Sequence, residues 1–239
     1  MLILNVLNNE SQDITQYVSF NDITEKIQSW KDSGEKFTWK FLNDHTGGLS
    51  SPSKMPCHGW SISAKICRTG GKLRKVKGSV CSNCYALKGR YVFSNVENAM
   101  EWRLDALKRD PVAWAAAMVL SIRKTGNNYF RWHDSGDLLG RLHFYAIVQI
   151  ALHLPDVKFW LPTREKEFAQ GHYASNLVVR VSAPMIGKAT TSSREEFHNT
   201  SSVGAGVGYA CPAQSQDNQC GSCRACWSRD VVNVDYAVH

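Results

Sequence analysis

The spacing of apolar residues changes along the chain, and each change of period predicts an element. The opening MLILNVLNNE is apolar over the length of a strand. It has no basic leader, long apolar region or small-residue cleavage site, so it reads as a first β-strand rather than a signal peptide. A short helix is expected around Asp22 to Trp30. Residues 36–42 (KFTWKFL) alternate and are rich in aromatics, the pattern of a strand. Farther on, Ser94 can cap a helix whose apolar positions are Val96, Ala99, Met100, Leu104 and Leu107. Asp110-Pro111 opens a second helix with Asp at the cap and Pro at the first position, and Gly126 ends it. Its run AWAAAMVLSI is apolar almost all round and should be buried.

From there the period alternates. Residues 129–133 (YFRWH) read as a strand, and 138–154 as an amphipathic helix stopped by Pro155. Residues 157–161 (VKFWL) form a strand followed by a short polar helix, and 177–181 (LVVRV) form another strand. This repeating strand–helix order predicts an α/β fold with a parallel sheet or part of a β/α barrel. The expected organisation is a barrel-like unit over residues 1–186, carrying a long loop at 43–93. A cysteine-rich segment at 187–239, ending in the alternating VVNVDYAVH, packs on the same domain.

The chain has 239 residues, 43% of them hydrophobic, enough for a well-buried core. No apolar run approaches the roughly 20 residues of a membrane span. A cytoplasmic protein is expected, with reduced thiols, so the eight cysteines point to metal or catalysis rather than to disulfides. The net charge of +7 is uneven. Between His45 and Val96 there is no Asp or Glu, but there are Lys54, Lys65, Arg68, Lys72, Arg74, Lys75, Lys77, Lys88 and Arg90. This basic loop, 54–90, either attracts nucleic acid or another polyanion, or balances the charge of a metal centre with several thiolates. It lacks the regular aromatic interleaving of a base-stacking platform.

The cysteines form two sets. In the tail, Cys211-Pro is followed by Cys220, Cys223 and Cys226 at three-residue steps, a pattern able to wrap one cubane cluster. Structural zinc prefers cysteines in pairs, which makes it the alternative, with thiol chemistry behind it. The first set is Cys57, Cys67, Cys81 and Cys84, where the spacing suits zinc and iron–sulfur equally and Cys57 or Cys67 can also be a plain buried residue. A metal would also order the long loop that holds them. Other polar groups gather where strands end: His133, Asp134, Ser135, Gly136 and Asp137 after one, Arg164 and Glu165 after the next, and Ser182 after the third. In a parallel sheet these would meet on one rim, where β/α folds place their chemistry. The plain alternative is that Asp134, Ser135 and Asp137 cap the following helix, but three polar residues plus His133 exceed what one cap requires; His133 alone fits a core position as well as a site.

The motifs LSSPSKMPC, GSVCSNCYALKGRY, FRWHDSGDL, FWLPTRE and CPAQSQDNQCGSCRACW together resemble the mycobacteriophage gene-product-88-like proteins from about Gly48 onward. That resemblance implies a phage origin and a host-cell cytoplasmic setting, without naming a reaction. The run Cys81-Ser-Asn-Cys84-Tyr85-Ala86 also resembles the end of the cluster loop of radical S-adenosylmethionine enzymes. This second resemblance implies a reduced partial β/α barrel and a cluster that cleaves S-adenosylmethionine. It casts Ser135, Gly136, Asp137 and Ser182 as cofactor-binding residues and the tail as an auxiliary cluster. The sequence departs from that family in having no C-x₃-C-x₂-C run and fewer strand–helix units than a six-unit barrel.

The resulting expectation is two [4Fe–4S] clusters, on Cys57, Cys67, Cys81 and Cys84 and on Cys211, Cys220, Cys223 and Cys226. The substrate would lie over His133, Asp134, Asp137, Arg164 and Glu165. The rival expectations are an iron–sulfur or zinc protein that binds nucleic acid or a host protein through the basic loop, and an electron-transfer protein with a separate donor.

Overall fold

The computed structural model describes residues 13–171, 173–190 and 199–238. The strand expected in the first ten residues lies outside them. Seven parallel strands form one sheet in the order β1-β2-β3-β4-β5-β7-β6. They are β1 (Gly59–Trp60), β2 (Tyr129–Trp132), β3 (Lys158–Thr163), β4 (Leu177–Ser182), β5 (Asn199–Val203), β6 (Tyr209–Ala210) and β7 (Asn233–Tyr236). The helices are α1 (Phe20–Asp32), α2 (Trp39–Thr46), α3 (Arg68–Leu73), α4 (Ser94–Arg109), α5 (Pro111–Thr125) and α6 (Arg141–His153). The α/β expectation holds, and the tail contributes β5, β6 and β7 to the same sheet. Among the described residues no helix is long and apolar enough to cross a membrane.

Several elements follow their local signals. The Asp110 side chain accepts a hydrogen bond from the Ala113 amide, Pro111 takes the first turn of α5, and Gly126 ends it in the left-handed region. Trp114 and the run from Ala115 to Met118 are completely buried, because α5 packs against α1, α2, α4 and α6. Three expectations need correction. KFTWKFL opens the helix α2, not a strand. Thr38 caps it through the Phe41 amide, and its buried residues, Leu42 and Thr46, are four apart as a helix face requires. Gly47 ends it at φ 71°, where a Cβ would lie 2.4 Å from the Arg103 Cα, so the close approach of α2 to α4 also demands glycine. Ser94 is the first helical residue of α4, while Phe93 occupies the cap position without a side-chain bond. Among the described residues between β3 and β4 there is a turn-rich stretch and no helix.

Strand periodicity gives the sheet two different faces. Phe130, Trp132, Phe159, Leu161, Leu177 and Val179 belong to the main core with α5 and α6. Trp60, Trp114 and Trp132 stack edge-on or tilted there, with ring centres 5.1 to 6.2 Å apart. The residues between them, Arg131, Trp160 and Arg180, point to the other side, where the tail lies: Trp227 sits 5.2 Å from Trp160 and donates its indole N–H to the Phe130 carbonyl at 2.9 Å. Arg180 is fully buried and donates to the carbonyls of Ala225 (2.8 Å), Cys226 (3.1 Å), Ser228 (2.8 Å), Thr200 (3.2 Å) and Val232 (3.4 Å).

His133, expected at the catalytic rim, turns into the main core. It is 4% exposed, adopts φ 53°, and packs beside Trp60, Trp132 and His143. Burial, aided by the Arg131 charge, pushes its pKa down to about 3, and burial also lowers that of His143. The folded state therefore keeps both rings neutral, whereas the unfolded chain protonates them near pH 6.5.

Two outcomes follow for stability. Arg180→Met should lower the unfolding free energy in urea by about 3 kcal/mol or more, because it strands several buried carbonyls. A loss below about 1 kcal/mol would show that water replaces the guanidinium. The histidines should cost stability as pH falls from 6.5 towards 3. His133→Asn keeps a residue tolerant of positive φ and should lose about 1.4 kcal/mol less per pH unit than the parent between pH 6.5 and 5, read from urea midpoints. Identical pH slopes in the two proteins would show that His133 is protonated in the fold.

Candidate metal and reaction site

Because every strand pair is parallel, the carboxyl ends of β1 to β5 lie along one edge of the sheet, and the segments leaving them meet there. Asp137 is 8% exposed, and its carboxylate accepts from the Thr163 hydroxyl at 2.5 Å and from the Arg164 and Leu138 amides at 2.8 Å. Burial lifts its pKa to about 6 against the pull of those bonds. Gly136 stands at φ 77° where a Cβ would come within 2.6 Å of Ile62, so the turn after β2 can pass this close to the segment after β1 only as glycine. Arg164 donates to the carbonyls of Ser182 and Ala183 at the end of β4, and Ser201 and Ser182 share a hydroxyl contact of 3.1 Å. Asp134 bonds Ser61 at the end of β1 and accepts from the Tyr91 hydroxyl.

The long loop is fastened to this edge at several points. Ser50 pairs with Gly59, and Ser79 with Met185 beyond β4. Both carboxylate oxygens of Glu165 hold Thr69, one on its amide at 2.7 Å and one on its hydroxyl at 2.8 Å. The Tyr85 hydroxyl donates to the Asp134 carbonyl at 2.6 Å. These pins, together with β1 and α3, fasten the loop across the strand ends. They bring Cys67, Cys81 and Cys84 together above the ends of β2 and β3. A Cβ on Gly70 would stand 3.2 Å from the Cys67 Cβ and 3.6 Å from the Cys81 sulfur, so α3 lies flush against them. Burial raises the Cys67 thiol, and the charges of Asp137, Cys84, Cys81 and Glu165 push the same way. Burial raises Cys81 too, opposed by the charge and hydrogen bond of Arg164.

Cys57 does not join them. It is buried with Trp160 and Trp227 and packed by Met55 and Cys226, on the face that carries the tail. Burial pushes its thiol up to about 12, with Arg131 opposing and Cys220 adding. Of the expected quartet, Cys57 thus lies with Trp160, Trp227 and the tail set, whereas Cys67 feels the charges of Cys81 and Cys84. The tail set stays together: Cys211, Cys220, Cys223 and Cys226 line one small cavity with Pro212, Ala213, Ala225 and Trp227. The Cys226 sulfur lies 3.2 Å from the Tyr236 hydroxyl and the Cys223 sulfur 3.4 Å from that of Tyr209. Burial pushes Cys226 up to about 11, with the Tyr236 bond and the Arg180 charge opposing. Among the described residues, no three His, Cys, Asp or Glu side chains are gathered as closely as one metal ion would require.

A nucleophilic cysteine needs a lowered pKa, and burial works against that at Cys57, Cys67, Cys81, Cys220 and Cys226 by raising each thiol. Cations nevertheless surround the sulfurs: Arg164 beside Cys81, and Arg131, Arg180 and Arg224 around the tail set. Among the described residues no carboxylate forms an ion pair with any of these four; the ion pairs present all involve lysines. Arg131 lies 4.4 Å over the Trp160 ring.

Of the predicted substrate-facing residues, Asp134, Asp137, Arg164 and Glu165 do gather at the rim, but each is bound to neighbouring chain. Glu165 and Arg164 position the cysteine loop and the β4 end. Ser135 keeps a buried hydroxyl without a partner, and the Ser182 carbonyl serves Arg164. Sequence reasoning missed Arg131, Arg180 and Thr69. The first two had a visible signal: a charged residue inside an apolar strand, in YFRWH and LVVRV, is out of place unless something binds it.

No curated protein and no solved structure matches the chain, so nothing in these comparisons extends to radical S-adenosylmethionine enzymes. The family described as Gene product 88 matches residues 18–229, a span that takes in strands β1 to β6, the long loop and all eight cysteines, and the chain belongs to that family.

Proposed function

We propose that this chain is an iron–sulfur protein built on a partial β/α barrel, with two [4Fe–4S] clusters. Cys67, Cys81 and Cys84 would hold one, and Cys211, Cys220, Cys223 and Cys226 the other. The first is proposed as a reaction site that uses S-adenosylmethionine. The observation that carries the proposal is the division of the cysteines. Three thiols face the strand-end rim, where ligands of parallel α/β folds bind, and four line a separate cavity. A cubane takes four ligands, so a three-thiol set leaves one corner for a small molecule, and a four-thiol set leaves none.

The charges around the thiols support such groups. Deprotonated sulfurs in a buried site need nearby positive charge, and Arg164, Arg131, Arg180 and Arg224 supply it without being claimed by carboxylates. A bound cluster of this class supplies single electrons at low potential. The protein's share is positional. Glu165 holds Thr69 and with it the first turn of α3, next to Cys67. Asp137 ties the β2 end to the β3 end. Beside Gly136, the buried Ser135 hydroxyl has no hydrogen-bond partner among the described residues.

Metal analysis tests the ligand assignment. Anaerobically purified protein should contain about eight irons and eight sulfides, as two cubanes require. Cys84→Ala and Cys223→Ala should each lose about half, whereas Cys57→Ala should keep the full complement. Iron loss in Cys57→Ala would restore the quartet, and about two zincs without colour would replace the cluster reading with a zinc one. The reaction is tested separately. The reduced, loaded protein should bind S-adenosylmethionine and release 5′-deoxyadenosine, and this should vanish in Cys84→Ala but survive in Cys57→Ala. A fully loaded protein that does neither would leave a cluster protein without this chemistry.

A further inference from the structure

The arginines that face the sulfurs leave the lysines of the long loop without that task. Lys72, Lys75, Lys77, Lys88 and Arg90 are exposed, and among the described residues none forms an ion pair with a carboxylate. Lys72 lies on α3, whose Gly70 touches Cys67 and Cys81. Lys75 and Lys77 follow directly, and Lys88 and Arg90 follow Cys84 by a few residues. The stretch between His45 and Val96 contains no acidic residue to oppose them. The loop itself therefore carries charge of one sign, while the nearby rim acids Asp137 and Glu165 are occupied by Thr163 and Thr69.

On that loop stands an aromatic face. Tyr85 follows Cys84 and is 58% exposed. Its ring is not free to swing: the hydroxyl is fixed on the Asp134 carbonyl at 2.6 Å, and the ring leans on Tyr91 at 5.7 Å, which is itself fixed on the Asp134 carboxylate at 3.1 Å. Phe93 is 56% exposed in the same loop. An exposed aromatic residue clamped through its polar end leaves the face of the ring to a ligand, with little freedom left to lose on binding. A rigid ring among unpaired cations matches a partner with repeated negative charge and planar faces.

We propose that this loop binds single-stranded nucleic acid, with phosphates on Lys72, Lys75, Lys77, Lys88 and Arg90 and a base stacked on Tyr85. A duplex keeps its base faces buried in its own stack, so the clamped ring favours a single strand. If the three-cysteine site is the reaction site proposed above, the strand is its substrate class, since Tyr85 adjoins Cys84. The binding itself does not depend on that reading.

The test is fluorescence anisotropy of the loaded protein with a labelled oligonucleotide, single-stranded or in duplex, over a range of salt. Tight single-strand binding that weakens steeply with salt is expected. The triple variant K72E/K75E/K77E should bind at least about tenfold more weakly and lose about 2 from the log–log salt slope, near 0.7 for each phosphate contact. Tyr85→Leu should cost about 5- to 100-fold, as expected for one stacked base, and Tyr85→Phe should recover most of it. Lys31→Glu, on α1 and far along the chain, should change little. Iron content measured on every variant separates loss of binding from loss of the cluster. Absence of binding at low salt overturns the proposal, as does an equal effect of Lys31→Glu and the triple variant. A duplex preference insensitive to Tyr85→Leu overturns the stacking. Strand binding by a protein that holds no iron would uphold this inference and defeat the preceding one.

Discussion

A guanidinium sealed inside a sheet sets the terms for the rest of this molecule. Arg180 occupies the centre of β4, where the neighbouring residues are valines, and no water reaches it. Burying a cation costs several kcal/mol unless polar groups replace its hydration. Here the replacement is backbone: three carbonyls from the tail at Ala225, Cys226 and Ser228, and two beside neighbouring strands at Thr200 and Val232. Those carbonyls fix the turn that carries Cys226 and bring Trp227 onto Trp160. Burial lowers the Arg180 pKa, while the charges of Tyr236 and Cys226 raise it. Negative sulfur at Cys226 and positive charge at Arg180 thus support each other. Metal binding that deprotonates the tail thiols would stabilise the fold through the same contact.

The parallel sheet then assigns each residue of a strand to a task by its parity. In β2, Phe130 and Trp132 enter the main core, while Arg131 between them points to the tail and stacks on Trp160. Beyond the strand, His133 turns back into the core, and Asp134 to Asp137 run along the edge and tie β1, β3 and the cysteine loop together. One short segment therefore touches the core, the face with four cysteines and the edge with three. A change of register by one residue would exchange these roles. Trp60, Trp114 and Trp132, all fully buried, oppose such a slip because no other register buries them together.

Much of this was readable from the chain, and the failures share a cause. The alternation of β2 and β3, the all-apolar α5 with its Asp110-Pro111 start, and the gathering of polar groups at strand ends are consequences of local pattern. KFTWKFL misled because its aromatics alternate; the capping Thr38 within it and Gly47 five residues beyond it carried the better signal. How Cys57 sits relative to Cys67, Cys81 and Cys84 was not legible, because proximity along the chain stands in poorly for proximity in space. β1 is only two residues long, too short to announce itself, yet Cys57 before it packs with Trp160 and Trp227 while Cys67 after it feels Asp137 and Glu165 at the strand-end edge. Glu165 and His133 were singled out as reacting groups by their place at predicted strand ends. Whether an acid is free or fastened to Thr69, and whether a histidine faces the rim or Trp60, is decided by tertiary contacts that no local pattern encodes.

The separation of arginine from lysine is the last consequence of the same physics. Arginine presents several planar donors, so it can satisfy carbonyls and lie on indole rings inside the protein while staying charged. Arg180, Arg164 and Arg131 do this within reach of the sulfurs. Lysine is a strongly hydrated point charge on a flexible stem, and it stays outside unless paired. Lys72, Lys75, Lys77 and Lys88 accordingly sit in solvent on the loop above. The excess charge of the chain is therefore not one feature with one explanation. Its buried part answers the cysteines and would be masked by deprotonated sulfur. Its exposed part is answered by no carboxylate within ion-pair reach among the described residues, and it is the part that a polyanion in solution would meet first.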